Sequence, residues 1–252
     1  MKRYALYFSP TGRTKQVVDI LTDTWKEAVC PVDLTDSRVD FSAIALEPDD
    51  VAVIAAPSYG GRVPGAAVER LSAVRGNGAA AVLVCVYGNR AYEDTLVELQ
   101  DAAEQAGFRV VAAIAAIAEH SIARQFAAGR PDADDRDCLR QFAASIEEKL
   151  AAGDISRPEI PGNRPYKPRG GGMVPMPSEA CVQCGLCAQG CPVQAIRPDD
   201  AAQVDGDACI SCMRCVARCP HGARRVDAER LAAITAMLEK VCADRKACEL
   251  YL

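Results

Sequence analysis

The chain has 252 residues, half of them hydrophobic and a quarter charged, with a net charge of −5. That is an ordinary globular composition, long enough for two small domains with separate cores. No apolar run approaches the length of a membrane span, Val110 to Ala118 being among the longest, and the acidic excess of residues 1–155 (23 acidic against 16 basic residues, −7) counts against a nucleic-acid partner.

In chain order, Arg3 to Phe8 reads as a strand opening a domain rather than as a signal peptide. A hydroxyl-rich turn follows, then a helix with Val17, Val18, Ile20, Leu21 and Trp25 at helical spacing. Ala28 to Leu34 reads as a second strand, and 36–49 as a short helix plus loop. Val51 to Ala56 and Ala79 to Val86 are continuous apolar runs, as buried parallel strands require. Helices are expected over Ala66 to Val74 and from Tyr92 to about Ala106. Arg109 to Ala118 is the fifth strand. A helix from about Ala133 to Leu150 closes the domain, with Asp132 or Asp134 as its N-cap. Strands alternating with helices predict an α/β domain, a doubly wound five-stranded parallel sheet over residues 1–152.

Sheets of this kind take ligands at the carboxyl ends of their strands, and three loops there carry candidate residues. In Ser9-Pro10-Thr11-Gly12-Arg13-Thr14 the hydroxyls of Ser9, Thr11 and Thr14 and the turn at Gly12 precede a helix N-terminus, which suits a terminal phosphate. Arg13 either bonds that phosphate or points to solvent. Neither the Walker pattern nor G-x-G-x-x-G is present. Pro57, Ser58, Tyr59 and Gly60 place an aromatic beside glycine. Tyr87, Gly88, Asn89, Arg90 and Tyr92 do so again. A phosphate at the first loop and an aromatic plane between the other two is what FMN demands. Tyr59 is the preferred stacking residue, then Tyr92 ahead of Tyr87. His120 is a candidate proton shuttle, with a hydrogen bond to a loop carbonyl the favoured reading, and 122–131 is a candidate insertion over the ligand. Cys30 and Cys85, on strands, are expected in the core.

Residues 153–175 are rich in proline and glycine and basic, with Arg157, Arg164, Lys167 and Arg169 against Glu159. They form a linker. It either docks on an anionic surface, Lys167 to Gly172 covering the ligand and bringing the next module near, or serves as a solvated spacer.

Residues 176–252 hold Cys181-x2-Cys184-x2-Cys187-x3-Cys191-Pro192 and, 28 residues later, Cys209-x2-Cys212-x2-Cys215-x3-Cys219-Pro220. Ala195 and Ala223 recur four residues after the last cysteine of each run. Zinc ribbons use two separated pairs per metal, and disulfides need an oxidising compartment to which nothing here points. The repeated spacing matches two iron–sulfur clusters with crossed ligands, Cys181, Cys184, Cys187 and Cys219 on one, Cys209, Cys212, Cys215 and Cys191 on the other. Leu231 to Val241 reads as an amphipathic helix packed on one of the two domains, whereas Cys138, Cys242 and Cys248 have no ligand spacing.

The cysteine runs resemble a small α+β bacterial 2[4Fe-4S] ferredoxin module, and the three loops are similar to those of a flavodoxin, with Arg13 where asparagine is common. Together the chain resembles the flavodoxin–ferredoxin fusions of bacteria and archaea, sometimes called ferrodoxins. The resemblance implies two [4Fe-4S] clusters, FMN, a cytoplasmic place in anaerobic metabolism and redox protein partners. The function expected is electron transfer with no catalytic side chain. The alternative is a flavin-dependent oxidoreductase that reduces a quinone or nitro compound with electrons fed through the clusters.

Overall fold

The computed structural model describes residues 1–252. Strands β1 (Arg3–Tyr7), β2 (Val29–Asp33), β3 (Val51–Pro57), β4 (Ala80–Tyr87) and β5 (Arg109–Ile117) form a parallel sheet in the order 2-1-3-4-5. That is the flavodoxin-like doubly wound order, with its reversal point beside β1 and β3. The strict two-residue period sends alternate side chains to opposite faces. Leu6, Ile54 and Leu83 pack on one face, Ala5, Val53 and Val82 on the other. Helices α2 (Gly65–Ala73) and α3 (Thr95–Gln105) cover the first face through Leu71, Leu96 and Leu99. Helices α1 (Arg13–Thr22) and α4 (Ala133–Ala151) cover the second through Val17, Leu21, Leu139 and Ile146. Asp132 caps α4 in a capping box with Asp135. Of the expected helix within 36–49, only a 3-10 turn at Phe41–Ala43 forms.

Cys85 is buried as expected, but Cys30 is exposed. The reason is the strand order: β2 is an edge strand, so its outward face has no helix over it.

The cysteine-rich module is small. Its elements are a two-stranded ladder of β6 (Met176–Pro177) with β7 (Arg224–Arg225), and two single-turn helices, α5 (Leu186–Gln189) and α6 (Arg214–Ala217). The 28-residue repeat is visible in the backbone. Gln183 and Ser211 share positive φ (55° and 54°), and so do Gly185 and Met213 (73° and 59°). Met213 therefore carries a side chain where the first repeat has glycine, at the usual cost of a left-handed non-glycine residue.

Helix α7 (Ala228–Glu239) follows, its N-terminus capped by Asp227. It does not stay with the cysteine module throughout. Leu238 and Cys242, with Ile234 beside them, pack on Ala123 and Phe126 of the first unit. The chain then adds a sixth strand, β8 (Glu249–Tyr251), antiparallel to β5. The sequence reading assigns this tail to the cysteine-rich unit and contains no sixth strand. A three-residue strand has too little periodicity to be seen. Its partners explain it. Asn89 donates to the carbonyls of Cys242 and Asp244 (3.0 and 2.9 Å) and accepts from the Lys246 amide. Buried Arg130, paired with Asp135, donates to the Lys246 carbonyl (2.9 Å). Cys248 packs in the sheet core beside Cys138. Covering β5 removes an exposed apolar edge.

Candidate functional site

A pocket opens at the carboxyl ends of β1, β3 and β4, as the strand order requires. Thr11, Arg13, Thr14, Pro57, Ser58, Tyr59, Gly60, Tyr87, Gly88 and Arg90 line it, all of them among the sequence candidates. Pro10, Val86, Ala91, Ala118, Glu119 and Ser121 line it as well and were not singled out. They flank the candidate residues in the same loops or end β4 and follow β5, so the strand ends carry them to the pocket.

The first loop is built by Gly12, whose φ of 90° ends the turn before α1. Ser9 Oγ accepts from the Lys15 amide at 2.9 Å, and the Ser9 amide donates to Thr35 Oγ1 at 2.6 Å. Ser9 and Gly12 thus shape the loop from behind and do not line the pocket. The hydroxyls of Thr11 and Thr14, on a helix N-terminus, remain to meet an anion. The Arg13 guanidinium pairs with Glu119 (3.0 Å) on the pocket wall and bonds Gln16 one turn along α1. Glu119 also accepts from Arg124 (2.7 Å). Burial pushes the Glu119 carboxyl up, but these two guanidinium groups outweigh it and hold it below the usual carboxylate range.

The second loop is a tight turn. Tyr59 and Arg62 exchange both backbone hydrogen bonds, and Gly60 and Gly61 supply positive φ. A side chain at Gly61 would collide with Glu93. Ser58 bonds Thr95 Oγ1 at 2.7 Å, which ties the loop to the start of α3.

The third loop carries two tyrosines, placed differently. Tyr87 lines the pocket, while Tyr92 turns away. The Tyr92 hydroxyl bonds Glu249 and Tyr251 (2.6 and 2.7 Å), and its ring meets Tyr87 edge-on with 5.2 Å between centroids. Asn89 likewise serves the C-terminal clamp. Tyr92 thus holds β8, and Asn89, with its positive φ of 66°, holds the segment that leads to it.

His120 lies in the pocket wall, packed so closely on Gly88 that a side chain there would clash with its ring. Its amide donates to the Phe126 carbonyl (3.1 Å), while its ring bonds no carbonyl. Its Nδ1 accepts from the amides of Ile122 and Ala123 (3.2 and 3.0 Å), which places the proton of the neutral ring on Nε2. Burial, and then the Arg90 cation, hold the imidazole below its ordinary value. The unfolded chain therefore binds the His120 proton more readily than the folded one. Stability from this group is complete above about pH 6.5 and falls as pH drops through the lowered value. Denaturant midpoints of wild type and His120→Gln, compared at about pH 7.5 and about pH 5.5, are expected to show a shallower loss on acidification in the variant. Identical pH dependences would refute this account.

The eight motif cysteines gather into two pockets with crossed membership. Cys181, Cys184, Cys187 and Cys219 line one, whereas Cys191, Cys209, Cys212 and Cys215 line the other. The alanines of the repeat have a role here: the Ala195 amide donates to Cys191 Sγ at 3.4 Å and the Ala223 amide to Cys219 Sγ at 3.2 Å. Burial pushes the Cys212 and Cys215 thiols up to about 12 and about 11. Loading a metal there must release protons. Four thiol ligands at matched spacing, with amides on the sulfurs, are the donor set of a cubane iron–sulfur cluster.

The two pockets differ in position. The Cys191 pocket faces the first unit. Buried Arg214 donates to the Pro10 carbonyl (3.1 Å) in the first loop, and Arg70 donates to the Pro192 carbonyl. Tyr59 stands between. Burial, with the Cys212 thiol second, pushes its phenol well above the ordinary value. The other pocket faces outward, with Cys184, Val182 and Leu186 exposed.

Linker residues 157–169 are docked, as the anionic-surface reading proposes. They lie along α3. Arg157 pairs with Glu104 (2.6 Å), Arg164 with Asp101 (2.6 Å), and Lys167 with Glu93. Buried Asp94 accepts from the amides of Asn163 and Lys167 (2.9 and 2.7 Å). Buried Glu98 binds Arg62 bidentately (2.8 Å each), the Val63 amide (2.7 Å) and Arg169 (2.8 Å). Gly172 then passes so close to Ser211 that no side chain fits.

Comparison with known proteins gives two kinds of match. A family profile described as a 4Fe-4S dicluster domain matches residues 171–224. Among solved structures, rubredoxin oxygen:oxidoreductase from Desulfovibrio gigas is 14% identical with a TM-score of 0.44, covering 60% of this chain and 36% of its own. The chain thus spans about a third of that protein's length. Flavodoxin 1 from Bacillus cereus is 17% identical (TM-score 0.42; 59% of this chain, 98% of its own). A flavodoxin from Streptococcus pneumoniae TIGR4 is 20% identical (TM-score 0.41; 59% and 99%). No curated protein matches. No helix is long and apolar enough to cross a membrane.

Proposed function

We propose that the chain is an electron-transfer flavo-iron–sulfur protein. In this reading the first-unit pocket holds FMN, each cysteine pocket holds one [4Fe-4S] cluster, and electrons pass between these centres and a redox protein partner. Residues 1–152 would be the flavin unit, 153–175 the docked linker, and the cysteine module with its return strand the remainder. The observation that carries the reading is the abutment of the Cys191, Cys209, Cys212 and Cys215 pocket on the loops of the flavin pocket, through Arg214 to Pro10 and Cys212 near Tyr59. Close, fixed centres are what a relay within one chain needs.

The residues fit the cofactors. Thr11 and Thr14 hydroxyls and the start of α1 would take the phosphate, with Tyr59 and Tyr87 beside the ring system. FMN supplies exchange between one-electron and two-electron traffic, and the clusters pass single electrons. The chain's own part is to orient the ring and to restrict water. The Arg13–Glu119–Arg124 pairs close one rim of the pocket, and His120 presents Nε2–H from its wall.

The test is an anaerobic visible spectrum with iron, sulfide and flavin counted on the same sample. One flavin and two cubanes per chain, with bound flavin reduced through the clusters by a one-electron donor, are the expected result. Clusters without flavin, after FMN is supplied, would sink the relay.

A further inference from the structure

The two cysteine pockets are related by the 28-residue repeat, yet at two lining positions an arginine stands where the other pocket has an aliphatic side chain. Arg224 on the outward pocket corresponds to Ile196 on the inner one, and Arg214 on the inner pocket corresponds to Leu186 on the outward one. The two arginines are not equivalent in their surroundings. Arg214 shares a groove with Asp33, Asp36 and Arg218, donates to the Pro10 carbonyl and bonds no cysteine sulfur. Arg224 is 3% exposed and has no carboxylate partner. Its Nη1 donates to the Pro175 carbonyl at 3.0 Å. Its Nη2 donates to the Ala201 carbonyl and to Cys187 Sγ, the latter at 3.4 Å. Its Nε, like that of Arg214, is buried without a partner, so the contact with the Cys187 sulfur is what sets Arg224 apart.

A buried guanidinium without a counter-ion carries the desolvation penalty of an uncompensated buried charge. Four thiolates on a cluster are the only anionic group this pocket is built to hold. Reduction adds one electron from an external one-electron donor. No bond forms or breaks and no proton is taken up, so the cluster with its thiolates becomes more negative by one charge. A fixed cation hydrogen-bonded to a ligand sulfur stabilises that reduced state more than the oxidised one.

On the cluster reading above, we infer that Arg224 sets the reduction potential of the outward cluster, held by Cys181, Cys184, Cys187 and Cys219, above that of the inner one. Electrons then dwell on the outward cluster, where a partner protein can reach it, until the flavin draws them inward. Arg224 is a positioning and charge-setting residue, not a ligand.

Arg224→Ile tests this, since isoleucine is the residue the repeat itself places at the equivalent position. The holoprotein is titrated anaerobically with electron paramagnetic resonance as the readout. Wild type is expected to show two midpoints. In R224I the higher one falls, by about tenfold in the reduction equilibrium, about 59 mV for a one-electron couple. The lower one moves by less, because Arg224 bonds a sulfur of the outward pocket and none of the inner one. Arg224→Lys keeps the charge and retains most of the separation. Unchanged midpoints in R224I at full iron and sulfide content would overturn the inference, whereas wild type with fewer than two clusters would overturn the cluster reading instead. If R224I takes up too little iron, the same titration on Arg224→Met decides by the same criterion.

Discussion

Glu98→Ala is expected to destabilise the protein by about 3–5 kcal/mol, the range for removing one partner of a buried ion pair. Glu98 sits on α3 with its carboxylate 6% exposed, and three groups from elsewhere depend on it. Arg62, itself 12% exposed, loses a bidentate partner and stays buried as an unpaired cation. The Val63 amide loses its acceptor. Arg169 loses its carboxylate, but it is 44% exposed and contributes little by itself. The consequence reaches beyond stability, because Arg169 is the last anchor before the triple glycine that leads to the cysteine module. Arg157, Arg164 and Lys167 each precede proline, so Arg169–Gly170 is the bond in the linker open to trypsin. The variant is therefore expected to be nicked there well before global unfolding, while wild type resists. Glu98→Gln, which keeps the shape and an acceptor for Val63, should fall between the two. Equal denaturant midpoints and equal trypsin lifetimes in wild type and E98A would show that the linker does not depend on this carboxylate.

The paired substitution Cys209→Ala and Cys212→Ala has the largest expected effect on electron flow. It removes two of the four thiols of the inner pocket, including the one nearest Tyr59. If the proposed relay holds, iron and sulfide fall by about half, with flavin content unchanged, because no residue of the first-unit pocket is altered. Reduction of the flavin by a one-electron protein donor then slows sharply, since the proposed centre nearest the first-unit pocket is gone. The corresponding pair Cys181→Ala and Cys184→Ala removes the outward centre and keeps the inner one. It should impair reduction by a protein donor more than by a small reductant able to reach the inner cluster. If both double variants reduce the flavin at the wild-type rate, electrons do not travel through the cysteine module, and the flavin is reduced directly.

The two tests separate two uses of charge in this chain. The excess of acid in the first unit is not spread evenly. Glu93, Asp94, Glu98, Asp101 and Glu104 lie along or just before α3, where the basic linker meets them. Most of these pairs are exposed and individually weak. The buried members, Asp94 and Glu98, hold the register. The Lys167 amide, and then Asn163, keep the Asp94 carboxyl below its usual range. Burial and the Asp101 carboxylate push the Tyr166 phenol up to about 12, so Tyr166 remains a donor at neutral pH.

Read alone, the amino-acid sequence determined whatever is encoded by local spacing. Continuous apolar runs specified parallel strands, since both faces of such a sheet are buried. Two cysteine runs 28 residues apart specified which four cysteines meet, because the crossed arrangement follows from the spacing itself. The hydroxyls and glycine of the first loop marked the pocket for the same reason. What the tertiary structure alone decided depends on partners distant in the chain. Tyr92 holds the C-terminal strand, Asn89 the segment before it, and Arg13 meets Glu119, because their neighbours come from residues 106 to 159 positions away. The exposure of Cys30 follows from strand order, which a strand's own residues do not state. The linker's choice between spacer and strap rested on whether an acidic face lay within reach, and only the packing of α3 beside the second loop provided one.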